Sequence, residues 1–172
     1  REEVANRFPD IQGHWAQEDI KEMYDKGIVQ GDQEQRFHPD NTITRAELIA
    51  MVTRAIGLSE AEYAGQFADV SADDWYGGVI QAALDAGLIA KDTVFRPGDN
   101  VTREEMAKII AGAAGRIKEL ADPPEDYRLD YGDAAAVSGW ALEFVEFVSY
   151  HGFMSGKENN TFAPGASATR AE

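Results

Sequence analysis

The sequence predicts an all-α protein built from three helix–loop–helix repeats. Three observations carry this. The tetrapeptide Thr-Arg-Ala-Glu stands at 44–47 and again at 169–172, with Thr-Arg-Glu-Glu at 102–105. Trp15, Trp75 and Trp140 each precede a glycine by 12 residues, at Gly27, Gly87 and Gly152. Phe37, Phe95 and Phe162 each lie two residues before a proline and seven before the threonine of the tetrapeptide. Shared spacings of this kind mark an internal repeat, here of about 60 residues. The repeats divide the chain at 1–58, 59–116 and 117–172.

The first helix of each repeat follows its tryptophan. Ala16, Ile20, Met23 and Tyr24 recur at helical spacing, as do Tyr76, Ile80, Ala83 and Leu84, and then Ala141, Val145 and Val148. The glycine 12 residues after each tryptophan is a helix C-terminal signal. The second helix follows the tetrapeptide. Leu48, Met51, Val52, Ala55 and Ile56 share a face with Gly57 as the stop, and Met106, Ile109, Ile110 and Ala113 repeat the pattern with Gly115 as the stop. One such unit cannot bury its apolar stripe alone, whereas three can bury theirs together. The segment 116–133 carries two prolines and many charges, and reads as a surface excursion before the third repeat.

Thr-x-x-Glu ahead of an apolar helical run is a capping box. Thr44 with Glu47, Thr102 with Glu105 and Thr169 with Glu172 fill that role. The arginine between them is unexplained by capping. Arg45, Arg103 and Arg170 sit at the first helical position, where the macrodipole disfavours a cation. Helix-end N–H groups beside a guanidinium make a local anion site, suited to a carboxylate. Pairing with one of the 31 acidic side chains explains the arginines equally well. By the repeat pattern a helix should follow Glu172, so the chain is expected to be part of a longer protein, with the third repeat lacking its final helix.

The formal net charge is −15, which repels nucleic acid and anionic membranes at long range. No run approaches the roughly 20 apolar residues a membrane helix needs. The N-terminal stretch "REEVANRF" lacks the order of a signal peptide. There is no cysteine, and His14, His38 and His151 form no ligand-spaced cluster, so no metal site or cofactor is predicted.

The ordered elements Phe8, Asp10, Trp15–Ala16, Gly27–Ile28, Gly31, Phe37, Pro39 and Thr44–Glu47 resemble the S-layer homology domain, usually found as three tandem copies. Repeat two carries Phe67, Asp69, Trp75, Gly87, Phe95, Pro97 and Thr102–Glu105. Repeat three carries Tyr131, Asp133, Trp140–Ala141, Gly152, Gly156, Phe162, Pro164 and Thr169–Glu172. The resemblance implies a pseudo-threefold arrangement around a shared helical core. It implies a non-enzymatic module that anchors proteins to the bacterial cell wall from outside the cell. Its ligand would be secondary cell wall polysaccharide bearing a pyruvate ketal on N-acetylmannosamine, bound in grooves between repeats by the tetrapeptide arginine. Further copies of a surface-layer protein are a second implied partner.

The ligand chemistry fits the residues. A ketal carboxylate suits a guanidinium at a helix end, and sugar faces can lie on Trp15, Trp75 and Trp140, for which a core position is an equal alternative. Gly27 and Gly31 would permit positive φ and close approach of backbone to a ligand, with a helix C-cap the favoured reading of Gly27; Gly156, at the place of Gly31 in repeat three, is a candidate carbohydrate-binding residue with it. Asp10, Asp69 and Asp133 are expected to cap or brace turns. Repeat two departs from the pattern: Lys91 replaces the glycine, its loop to Phe95 is two residues shorter, and Glu104 stands beside Arg103. Arg45 and Arg170 are therefore ranked above Arg103 as ligand contacts.

Three rival functions are weaker. No nucleophile elbow, phosphate loop or metal signature supports an enzyme. Acidic loops such as "DQEQ" invite a calcium-dependent structural module but lack the ligand spacing of a calcium loop. Helical repeats also bind proteins, which makes self-assembly of a surface layer the third alternative.

Overall fold

The computed structural model describes residues 7–172. Residues 1–6, assigned by sequence to the first repeat and to the stretch unlike a signal peptide, lie outside the described residues. The described residues form five α-helices and no sheet: α1 (Gln17–Asp25), α2 (Arg45–Ala55), α3 (Gly77–Asp85), α4 (Arg103–Ile117) and α5 (Leu142–Tyr150). Single 3-10 turns at Pro9–Ile11 and Ala134–Ala136 precede α1 and α5. The predicted all-α class and the paired helices are thus observed.

α1, α3 and α5 end as their glycines predict. Gly27, Gly87 and Gly152 adopt φ of +72°, +73° and +72° just past each C-terminus, where a side chain would be strained. Gly57 ends α2 in the same way, at +71°. Gly115 does not end α4, which runs on to Ile117. The extra half-turn is tied down by Arg116, whose Nη1 donates to the Ala86 carbonyl at the C-terminus of α3 at 2.8 Å. Nor is segment 116–133 purely a surface excursion. Leu129 and Tyr131 pack against the main core, and the Tyr131 hydroxyl meets Ser149 of α5.

α2 packs on α3, α4 on α5, and α2 on α4. The main core gathers residues from all three repeats, including Ile43, Ile49, Ile80, Val101, Val145, Phe162 and Ala168. The first repeat departs from a single shared core. Phe8, Ile11, Ala16, Ile20, Val29 and Phe37 form a separate cluster around α1, joined to the main core through half-buried Met51 of α2.

Three buried backbone contacts lock the repeats together. The Ile43 N–H donates to the Ala168 carbonyl, the Ala168 N–H to Val101, and the Val101 N–H to Ile43, at 3.0, 2.9 and 3.0 Å. The bonds close a ring. Each residue lies just before its repeat's tetrapeptide threonine and is fully buried, so each polar pair is satisfied in an apolar setting.

The aspartates brace loops far along the chain. Asp10 accepts the N–H groups of Phe37 and His38, Asp69 those of Phe95 and Arg96, and Asp133 those of Phe162 and Ala163. His38, Arg96 and Ala163 hold φ of 57°, 61° and 54°, a left-handed conformation that costs a side-chain-bearing residue free energy. The charge-assisted bonds offset that cost and fix each Phe-x-Pro turn. Burial pushes the Asp10 carboxyl up, but the Phe37, His38 and Asp10 N–H groups and the nearby His38 more than reverse this and hold it below the usual range. Asp69 is lowered against the same opposing burial, by the N–H groups of Phe95, Arg96 and its own amide and by the Arg45 charge.

Candidate functional site

All three tetrapeptides form reciprocal caps. The Glu47 N–H donates to Thr44 Oγ1 at 3.2 Å, and the Thr44 N–H returns to Glu47 Oε2 at 3.3 Å. Thr102 and Glu105 repeat this at 3.3 and 2.9 Å, and so do Thr169 and Glu172. At 169–172 the cap is formed although these residues are not helical. Repeat one holds this turn through its backbone, the Arg170 N–H donating to the Asn41 carbonyl at 2.8 Å and the Ala171 N–H to the Pro39 carbonyl at 3.0 Å.

The arginine side chains add to that hold. Arg45 Nε donates to the Phe95 carbonyl, Arg103 Nε to Phe162 and Arg170 Nε to Phe37, at 2.9, 2.6 and 2.8 Å. Each guanidinium also lies over that phenylalanine's ring, 4.6–4.9 Å from its centroid. Each then reaches the capping glutamate of the next repeat: Arg45 to Glu105, Arg103 to Glu172 and Arg170 to Glu47. The contacts run from repeat one to two, two to three and three to one. The arginine that capping could not explain is a fork between repeats, and the glutamate serves both cap and fork. Spacing could not reveal this, because the partners are 60–123 positions apart.

The three forks differ in what they leave over. Arg103 is 3% exposed and each of its three nitrogens is bonded: besides Nε, Nη1 meets Glu172 at 2.8 Å and Nη2 the Ser155 carbonyl at 2.7 Å. It does rank last for accessibility, but not because of Glu104. The Glu104 carboxylate turns away, accepting from the N–H and Oγ of Ser138 at 3.0 and 2.7 Å. Arg170 Nη2 reaches the Gln30 carbonyl at 3.1 Å, the counterpart of Ser155. Arg45 shows no such second carbonyl, because the loop of repeat two is two residues shorter. Instead Arg96 joins it on Glu105 Oε1, each at 3.3 Å. Burial, opposed by Glu105 and aided by Arg96, pulls Arg45 below the ordinary arginine range.

The tryptophans are not core residues. Trp15, Trp75 and Trp140 are 70%, 59% and 50% exposed. Trp140 lies beneath the Lys108 ammonium, 5.8 Å from the ring centroid, and Lys108 is one turn beyond Glu105. Trp75 borders a cleft of about 150 Å³ together with Arg170, Gln30, Glu47, Met51 and Arg54. This cleft draws on all three repeats, and brings Arg170 and Trp75 together as the sequence alone could not. Arg54 and Gln30 were not singled out in the sequence. Arg54 stands nine residues after Arg45, where α4 has Gly112 nine after Arg103, so the repeat pattern disguises it as surface.

Gly31 and Gly156 serve packing, not positive φ, which neither adopts. A Cβ on Gly31 would lie 2.3 Å from the Phe8 ring and 2.9 Å from the Arg36 carbonyl. On Gly156 it would lie 2.6 Å from the Tyr131 ring. Phe8 and Tyr131 are the counterpart residues of their repeats, so the glycine makes room for the repeat's own aromatic ring. Gly31 also borders a larger, open cavity of about 610 Å³ beside Arg7, Tyr24 and Asp25. Among the described residues no cluster of acidic or histidine side chains could hold a metal ion, and no helix is long and apolar enough to cross a membrane.

The S-layer homology domain family model matches the chain three times, at 7–49, 66–107 and 130–172. An amylopullulanase of Thermoanaerobacterium thermosulfurigenes is 36% identical over 99% of the chain and 9% of its own length. The surface-layer 125 kDa protein of Lysinibacillus sphaericus is 36% identical over 97% of the chain and 14% of its own length. The exoglucanase XynX of Acetivibrio thermocellus is 36% identical over 96% of the chain and 15% of its own length. The chain thus spans about a tenth to a seventh of these relatives. Relatives named as enzymes and as surface-layer proteins share this one segment, as an anchoring or binding unit shared by different proteins would be. With three ordered family matches laid over three cap-and-fork units, the chain belongs to the S-layer homology domain family.

Proposed function

We propose that the three repeats act as one unit that anchors its parent protein to the bacterial cell wall by binding secondary cell wall polysaccharide. Domains of this family occur in surface-layer and cell-surface proteins, and a cell-surface or cell-wall location follows for this chain. The finer reading is that the ligand carries a pyruvate ketal on N-acetylmannosamine, held in a groove between repeats arranged with pseudo-threefold symmetry.

One observation supports this most. The cleft at Arg170 and Trp75 joins exposed aromatic surface to a guanidinium at a preformed capping turn. Its volume, about 150 Å³, suits a single six-membered ring. Indole takes the apolar face of the sugar, while Arg170 and the Gln30 region supply polar contacts. Arg103 serves as the buried lock between repeats two and three.

The test is co-sedimentation with purified wall polysaccharide before and after mild acid removal of the ketal. Binding that survives with the native polymer and disappears with the treated one supports the reading. Equal binding to both contradicts it.

A further inference from the structure

We draw no further inference here: the strongest candidate, the aromatic surface patch at the C-terminal end of α5 where the rings of Phe147, His151 and Phe153 cluster beside exposed Tyr150, is an apolar face, and nothing in the structure shows what covers it.

Discussion

Arg103 and Glu172 meet at 2.8 Å in an almost fully buried ion pair that spans 69 positions of sequence. The same glutamate caps its own turn through the Thr169 N–H. A motif that reads as a local helix signal is therefore also a long-range clamp, and the two uses share one carboxylate.

Removing a buried charge partner leaves the other uncompensated, at a cost of roughly 3–5 kcal/mol. Arg103→Ala should approach that loss. Arg45→Ala and Arg170→Ala, at more accessible forks, should lose about 1–3 kcal/mol. Urea unfolding of the three variants checks the order. A loss at Arg103 no greater than at the other two would show that burial does not set the value of the fork.

The paired carboxylates predict acid sensitivity. Asp10 and Asp69 have folded-state pKa values held below the ordinary value. A depressed carboxylate stabilises the fold fully above its unfolded pKa, near 3.9. That contribution is lost as pH falls from there through the folded value. The melting temperature should therefore fall below about pH 4, and Asp69→Asn should flatten this acid limb while lowering the plateau at pH 7. An acid limb as steep in the variant as in the wild type would place the protons elsewhere.

Much of the fold was legible because its signals are local. The helices came from apolar periodicity and C-terminal glycines, and the caps from Thr-x-x-Glu. What was illegible is what the caps hold. The arginine forks, the ring of bonds through Ile43, Val101 and Ala168, and the aspartate braces join residues some 26 to 140 positions apart. No local pattern encodes such partners. The tryptophans show the same limit in the other direction. Their helix-start position admitted both core and surface; in the fold they are exposed, while Ala16 and Ala141, next to Trp15 and Trp140, are fully buried.

Gly31 tests the packing account. Gly31→Ala drives a Cβ into the Phe8 ring and the Arg36 carbonyl, and overpacking of this kind costs about 1–3 kcal/mol. Gly98→Ala, where a Cβ meets nothing, should stay within ~0.5 kcal/mol of wild type. Thermal melts of the two variants compare them directly. Equal tolerance would mean that Phe8 yields, and that the glycine is retained for another reason.

Trp75 separates binding from stability. With most of its surface exposed, Trp75→Ala should change unfolding free energy by no more than ~0.5 kcal/mol. Its affinity for the ketal sugar should drop several-fold to about tenfold, the loss of one aromatic platform. A variant that binds normally would remove the indole from the site.

The central claim is that this acidic chain captures an anionic wall sugar in an inter-repeat cleft. The most direct measurement is a crystal structure of residues 1–172 soaked with the 4,6-pyruvate ketal of methyl N-acetylmannosaminide. The sugar is predicted between Trp75 and Arg170, with its ring on the indole and its carboxylate toward Arg170. Density for the sugar at any site remote from the tetrapeptide arginines, or an empty cleft in crystals saturated with it, would contradict the claim.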